Sequence, residues 1–172
     1  MLTNDDNKMI VDPEQTKVEM TQIVLPSHTN NHDTAFGGQI AAWVDICAAV
    51  SAQRFCRCGV VTASMDELHF LHPVKKGMVV ILRSQVNRAW NSSMEVGVRV
   101  EAENPITGKV LHCCSAYLTF VAIDGKGGTI SVPNLDSKGD FTLERRAREA
   151  QMRRDNRLKM RELRRQENAT LN

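Results

Sequence analysis

Asp45 is the one carboxylate in the stretch GGQIAAWVDICAAV, residues 37–50, and its position raises a chemical question. The stretch is otherwise almost wholly apolar, and a helix that is apolar all round is typical of a protein interior. An acid in such a helix is costly unless something pairs with it. The positions three and four residues away along a helix are all small here, namely Ala41, Ala42, Ala48 and Ala49. This cleared face fits either tight helix packing, with Asp45 paired to a polar group, or the close approach of a ligand.

Two glycines at the start of this predicted helix favour the ligand. The first turn of a helix presents main-chain N–H groups without partners and the positive end of the helix dipole. Gly37 and Gly38 leave those N–H groups sterically open, which suits an oxyanion or a phosphate. A carbonyl bound there could be attacked by a water molecule held by Asp45. The stretch therefore supplies a group that polarises an electrophile and a base.

Metal binding is the weaker interpretation of the other polar residues. His28, His32 and Asp33 precede the helix, but their spacing matches no strong coordination pattern, and a loop of capping and turn residues explains them better. Cys56 and Cys58 do not form a CxxC pair, and the five cysteines are an odd number, which argues against a disulfide framework. We expect free thiols and no metal.

Hydrophobic periodicity predicts one long helix among five strands. The helix is expected at 37–55 and the strands at 18–25, 60–71, 78–90, 93–104 and 109–123. In 93–104 apolar and charged residues alternate, which indicates an antiparallel strand with one solvated face. The order β-α-β-β-β-β, with a helix too apolar for a surface, predicts an α+β fold in which one sheet wraps around a central helix.

Composition predicts one domain with two extensions. The 172 residues carry 22 basic and 20 acidic side chains, a balance that indicates neither nucleic acid nor a membrane as partner. We divide the chain into a flexible leader at 1–16, a domain at 17–125, and a linker with an Arg-rich helix at 126–172. Acidic residues interleave with the basic ones in that helix, which disfavours a nucleic-acid tail. No apolar stretch approaches the ~20 residues of a membrane helix, and the polar start is untypical of a signal peptide, so we expect a cytoplasmic protein.

Four ordered motifs resemble the acyl-CoA thioesterases of the hotdog fold, both the bacterial acyl-CoA hydrolases and the vertebrate cytosolic ones. The motifs are HTNNHDTAFGGQIAAWVD, VVTASMDELHFLHPVKKGMVV, SSMEVGVRVEAENPITG and SAYLTFVAID, and they cover roughly residues 17–125. The resemblance implies a curved antiparallel sheet around the helix, and protomers that join edge to edge into dimers and then into a hexamer. It also implies hydrolysis of acyl-CoA to a free fatty acid and CoA without a cofactor or metal.

The resemblance assigns roles to three residues directly. Asp45 falls on the catalytic acid of the family, which acts as general base or, by some accounts, as nucleophile. Asn30 falls on a catalytic asparagine that orients water or substrate, and Thr62 on a hydroxyl that assists the acid. Thr34 stands where some relatives carry Asn or Asp, which leaves open that Asn30 shares its role with Thr34 or Asn31.

The resemblance also indicates the residues that bind the substrate. The N–H groups near Gly37 and Gly38 would polarise the thioester carbonyl. The segment Ser92, Ser93 and Met94 matches one that lies near the pantetheine arm.

We further expect an active site shared between protomers. Asn30 precedes the helix and Asp45 lies two turns along it, a rise of ~10 Å or more at ~1.5 Å per residue. Asn30 of one chain meets Asp45 of a neighbour more easily than its own.

Two other functions remain open from the sequence. A hydratase or dehydratase of acyl thioesters could share the fold, although we do not find the Asp–His pair that hydratase members usually carry. A non-catalytic acyl-CoA-binding protein is the other alternative, against which the intact set Asp45, Asn30 and Thr62 argues.

Overall fold

The structure is a computed structural model that describes residues 8–136 and 139–170. The chain divides after Asp136 into two compact units. The first contains β1 (Ile10–Val11), β2 (Val18–Ile23), α1 (Gly37–Cys56), β3 (Gly59–Met65), β4 (Val79–Ala89), β5 (Ser93–Glu103), β6 (Val110–Ile123) and β7 (Asn134–Leu135), with short 3-10 helices at Pro13–Thr16 and Pro26–His28. The second contains α2 (Phe141–Thr170).

Five of the strands form one antiparallel sheet in the order β2-β4-β5-β6-β3. The turn at 104–109 that joins β5 to β6 is closed by hydrogen bonds to Asn104 Oδ1, and Gly108 adopts a φ of 69°, a conformation that glycine reaches without strain. The apolar residues of β5 are buried in alternation, as predicted. Glu95 departs from the pattern, because it is also buried and accepts a hydrogen bond from Asn87 Nδ2 over 3.1 Å.

One face of α1 packs against the sheet. Its buried residues recur every three or four positions and are Ile40, Trp43, Val44, Cys47, Ala48, Ser51, Ala52 and Phe55. They join the inward-facing residues of β4, β5 and β6 in a single core. The predicted fold is therefore confirmed: an antiparallel sheet around a long helix, which is the hotdog arrangement.

The segments around the predicted domain are more ordered than the sequence indicated. Residues 1–7 of the predicted leader at 1–16 lie outside the described residues. The rest of the predicted leader contains β1, which pairs in parallel with β7. Ser51 of α1 donates a hydrogen bond of 2.6 Å to the carbonyl oxygen of Thr16, which is itself buried. β7 lies in the predicted linker, so the first unit reaches Asp136 and not 125. Pairing between segments so distant in the chain leaves no local sequence signal.

The strand predicted at 60–71 is shorter than expected. β3 ends at Met65, and beyond it Asp66 and Leu71 make isolated main-chain hydrogen bonds to Tyr117 and Cys113 of β6. His69, which the prediction placed within a strand, is therefore in an exposed loop. Apolar residues at 68–71 continue the strand-like sequence pattern, although the hydrogen-bonded pairing of β3 with β6 ends at Met65.

The Arg-rich helix predicted within 126–172 is present as α2. Asp140 accepts hydrogen bonds from the main-chain N–H groups of Thr142 and Leu143, which caps its first turn. Arg145 and Glu149, four residues apart, form an ion pair of 2.6 Å on its surface. No helix in the described parts of the chain has the length and apolar character needed to cross a membrane.

Candidate active site

Asp45 and Thr62 form the polar pair at the centre of the candidate site. The hydroxyl of Thr62 donates a hydrogen bond of 2.7 Å to Oδ1 of Asp45. Asp45 is half-buried and Thr62 is exposed, so the pair lies at the surface of the chain and not in its core. Oδ2 of Asp45 has no partner among the described residues and is available to a water molecule or a substrate.

Two local features bring Thr62 to Asp45. Arg57 ends α1 in the left-handed conformation with a φ of 54°, and the chain reverses within two residues into β3. The pairing of β3 with β6 then shifts between Thr62 and Ser64, which is a β-bulge. A bulge redirects the side chains beside it, and bulges are frequent near active sites.

The surface around this pair is apolar. Ile46, directly after Asp45, is 53% exposed, and Val50 one turn further on is also exposed. Met65 of β3 is exposed as well, and its register with Leu118 of β6 puts it on the same side of the sheet as Thr62, which pairs with Phe120. We call the exposed surface of Asp45, Ile46, Val50, Thr62 and Met65 the Asp45 face. The sequence predicted that α1 is buried all round, but within one chain this face is uncovered.

The start of α1 offers unpaired main-chain donors. Among the described residues none accepts a hydrogen bond from the N–H groups of Gly37 and Gly38, and Phe36 at the N-cap provides no side-chain cap. A Cβ on Gly38 would lie 2.6 Å from Cε1 of Phe36, so a larger residue there would displace this exposed ring. The helix start therefore has the unpaired donors that the predicted oxyanion site would need, and anion binding there stays a prediction.

A half-open pocket of about 330 Å³ adjoins these donors. Its walls include Gly37 and Ile40 of α1 together with Phe70, Leu71 and Val74 from the loop between β3 and β4. The sequence pattern predicts a strand through residues 68–71 and therefore gives no sign of this loop. The unusual exposure of two adjacent large apolar residues, Phe70 and Leu71, is the signal that the loop carries.

Asn30 lies in the loop before α1, and its side-chain oxygen bonds within that loop. Oδ1 accepts hydrogen bonds from the N–H groups of His32 and Thr34 and from the hydroxyl of Thr34. No hydrogen bond joins Asn30 to Asp45 in the described chain. Along α1 the Gly37 end and Asp45 are separated by ~12 Å, at ~1.5 Å per residue. Within one chain Thr62 is therefore hydrogen-bonded to Asp45, whereas Asn30 is, among the described residues, hydrogen-bonded only within its own loop.

His28 and Asp33, which were considered as metal ligands, have other partners. Nδ1 of His28 accepts a hydrogen bond of 3.2 Å from Leu25 N–H, and the ring packs edge-on against Trp43. Asp33 binds Lys76 over 2.7 Å, and the hydrogen bond from Lys76 lowers the pKa of that carboxyl. Burial raises the pKa of the Cys56 thiol to about 11, which disfavours the thiolate that zinc needs. Within the described residues no three potential ligands converge on a metal site.

The predicted pantetheine segment lies two strands from Thr62. Thr62 and Met94 pair with Phe120 from its two sides, so ~10 Å separates their main chains. Met94 itself is completely buried, so its side chain packs in the core of the chain. Of the predicted substrate-binding segment only Ser92 and Ser93 are partly exposed.

Comparison with known proteins points to one family. The thioesterase superfamily matches residues 32–109. The Bacillus subtilis acyl-CoA thioester hydrolase YkhA is 43% identical over 122 residues, which are 71% of this chain and 71% of that protein. Mouse acyl-coenzyme A thioesterase 11 is 47% identical over 107 residues, or 62% of this chain, but the chain spans only 18% of that longer protein.

Solved structures are similar over almost the whole chain. An acyl-CoA hydrolase from Staphylococcus aureus in complex with butyryl-CoA, CoA and CoA disulfide has a TM-score of 0.84 and 32% identity, covering 94% of this chain and 98% of its own. A hexameric acyl-CoA thioesterase without ligand also has a TM-score of 0.84, with 33% identity and coverages of 88% and 97%. Structures of the Staphylococcus aureus protein include alanine variants of an asparagine, of an aspartate 15 residues later and of a threonine 17 residues after that.

Proposed function

Because the chain belongs to the hotdog-fold acyl-CoA thioesterase family, we propose that it hydrolyses acyl-CoA to a free fatty acid and CoA. The observation that carries this proposal is the 2.7 Å hydrogen bond from Thr62 to Asp45 at the surface of α1. It gives a carboxylate a fixed orientation while one oxygen remains available. Further support comes from the Staphylococcus aureus hydrolase, in which the three substituted residues have the same separations as Asn30, Asp45 and Thr62.

Asp45 acts as the general base in this proposal. Oδ2 accepts a proton from a water molecule as its oxygen attacks the thioester carbon, and Thr62 holds the carboxylate through Oδ1. The oxygen of the tetrahedral intermediate gains negative charge, which the N–H groups of Gly37 and Gly38 stabilise from the start of a helix. Collapse of the intermediate breaks the C–S bond, and the proton that Asp45 took from water is returned to the sulfur, so that the CoA thiol and the acid are released and the Asp45 carboxylate is restored.

We infer that the site is shared between protomers and completed by dimer formation. The Asp45 face is apolar and uncovered, and β3 next to it is an edge strand of the sheet. A second copy that covers this face would exclude water and bring its own Asn30 and Gly37 to Asp45. Assembly of such dimers into a hexamer is supported by the hexameric acyl-CoA thioesterase of similar structure.

The substrate groups have distinct places in this proposal. The acyl group enters the pocket of about 330 Å³, because Gly37 forms one of its walls and a carbonyl bound at Gly37 N–H must carry its chain from there. The pantetheine arm passes Ser92 and Ser93.

No cofactor or metal takes part, since thioester hydrolysis needs only a base and a polarised carbonyl. We place the protein in the cytoplasm, where its five unpaired cysteines stay reduced.

Release of free thiol from a panel of acyl-CoAs of increasing chain length tests the proposal. We expect thiol release that is proportional to enzyme concentration, with a preferred chain length. A hydratase would change an unsaturated acyl-CoA without releasing thiol, and a binding protein would bind acyl-CoA without turnover. Either result would replace hydrolysis as the function.

Activity should also survive prolonged chelation, and a loss that zinc or manganese specifically restores would contradict the metal-free mechanism.

A further inference from the structure

The loop before α1 uses up the hydrogen-bonding capacity of one half of the Asn30 side chain. Oδ1 accepts the N–H of His32 over 2.9 Å, the N–H of Thr34 over 3.4 Å and the hydroxyl of Thr34 over 3.1 Å. A carbonyl oxygen has two lone pairs, so three donors leave no acceptor site for a further hydrogen bond. Whatever Asn30 contributes to a reaction must therefore come from its nitrogen.

Chemistry fixes the orientation of this amide. The oxygen and nitrogen of an asparagine are told apart by their partners, and main-chain N–H groups can only donate. Turning the amide over would point its NH2 group at the N–H groups of His32 and Thr34, two donors that it cannot satisfy. Nδ2 therefore points away from the loop, and no acceptor for it exists among the described residues.

The loop itself is held from both sides, so this orientation is defined relative to α1. Phe36 N–H donates to the carbonyl of His28 over 2.8 Å, and Ala35 N–H donates to the carbonyl of Val74 over 2.7 Å. The 2.7 Å ion pair of Asp33 with Lys76 ties the loop to the segment before β4. These bonds hold the loop that carries Asn30 in place. The loop precedes Gly37, whose main-chain N–H is unpaired among the described residues.

We propose that Thr34 is a positioning residue that makes Asn30 a pure hydrogen-bond donor to the thioester carbonyl. The inference rests on the proposed function. Asn30 Nδ2 then joins the N–H groups of Gly37 and Gly38 in stabilising the oxyanion. Asn30 does not accept a hydrogen bond from the attacking water, because that would require a lone pair of Oδ1 that Thr34 and His32 already occupy.

Removal of the Thr34 hydroxyl tests the positioning role. Thr34→Val deletes one of the three bonds to Oδ1, and we expect kcat to fall about 5- to 30-fold, in the range of one lost hydrogen bond, while KM changes less than about twofold. Thr34→Ser retains the hydroxyl and should recover most of that loss. Unchanged kcat in Thr34→Val, or an equal loss in Thr34→Ser, would overturn the proposal.

The matched control is another threonine of the same loop. Thr29 Oγ1 donates to the carbonyl of Pro26 over 2.8 Å and does not contact Asn30. Thr29→Val makes the same chemical change and should leave kcat within about twofold of the wild-type value. A drop as large as that of Thr34→Val would indicate a general loosening of the loop and contradict a specific role of Thr34.

The double variant tests whether Thr34 acts through Asn30. Asn30→Ala should lower kcat about 10²-fold or more, as loss of one oxyanion donor does, and adding Thr34→Val should change the residual rate by less than about twofold. The full 5- to 30-fold loss in that background would show that Thr34 acts independently and would overturn the inference.

Asn30→Asp separates a donor from an acceptor role. The aspartate retains an oxygen for the three loop donors, but its second oxygen can only accept. A donor role predicts a loss of about 10²-fold or more, whereas orientation of the attacking water by Asn30 predicts a variant with more than about a tenth of wild-type kcat. The second result contradicts the inference while wild-type hydrolysis still upholds the proposed function. Absence of thiol release by the wild-type protein would overturn both.

Discussion

Asp45 combines a free oxygen with a fixed one, and its proposed role as general base rests on this combination. One oxygen is held by the Thr62 hydroxyl, which is a charge-assisted hydrogen bond, and the other faces the surface of the chain. The cost of burying an unpaired acid therefore does not arise, because Asp45 is only half-buried and is paired.

Asp45→Asn retains the shape and the bond to Thr62 but removes the base. We expect kcat to fall by about 10²- to 10⁴-fold with no change in the circular dichroism spectrum. More than about a tenth of wild-type activity would show that Asp45 has a structural role only.

Thr62→Val removes the hydroxyl that orients the carboxylate. A hydrogen bond to a charged group is worth about 1.5–3 kcal/mol, so kcat should fall about 10- to 100-fold, and Thr62→Ser should recover most of the loss. The steady-state kcat of the two variants, measured with one acyl-CoA, decides this. Equal rates for Thr62→Val and Thr62→Ser would exclude a role for the hydroxyl.

At the scale of elements, α1 has one face that packs in the core and one face that is exposed. One packs on the sheet, and the other carries Asp45 and exposed apolar residues. The helix is also anchored to the N-terminal segment, since Ser51 donates to the Thr16 carbonyl and the Thr16 hydroxyl accepts from Val86 N–H of β4. These two bonds connect α1 to the sheet through residues that the sequence assigned to a leader.

Ser51→Ala should therefore destabilise the fold without touching the chemistry. It leaves the buried Thr16 carbonyl without the hydroxyl donor, which costs about 1–3 kcal/mol. Urea denaturation of the variant measures the loss, and kcat of the folded fraction should equal that of the wild type. A free energy of unfolding that stays at the wild-type value would contradict the anchoring role.

The elements that were predictable from the sequence are those with local signals. The periodicity of α1 and β5 and the turn at 104–109 sufficed for the sheet and the central helix. The pairing of β1 with β7 was not predictable, because it joins two-residue strands over 120 residues apart.

At the site, the resemblance named Asp45 and Thr62, and the structure brings them together. The alternation in 93–104 already indicated that Met94 faces the core. The pocket wall formed by Phe70 and Leu71 was not predictable, because it depends on how a loop leaves the sheet.

At the scale of the whole molecule, the Asp45 face needs a cover. An exposed apolar surface beside the proposed general base is poorly suited to a chain that acts alone, because water would surround the reacting carbonyl. In the proposed dimer a second copy would supply both the cover and Asn30.

Ile46→Glu should disrupt this assembly. A charge at the centre of an apolar interface is left without water or a partner, so the variant should elute as smaller species in gel filtration with light scattering and lose most of its activity. Ile106→Glu is the matched control, since Ile106 is 91% exposed on the β5–β6 turn and remote from the Asp45 face in sequence. Assembly of Ile46→Glu like that of the control would contradict the proposed interface.

Complementation between two inactive variants tests the shared thioesterase site most directly. Asn30→Ala and Asp45→Asn proteins should each be nearly inactive. Unfolded and refolded together in equal amounts, they should recover about a quarter of wild-type thiol release, because half of the dimers are mixed and each mixed dimer has one intact site. Mixed oligomers that form, as shown by differently tagged subunits, but remain as inactive as their parents would contradict a site built from Asn30 of one protomer and Asp45 of the other.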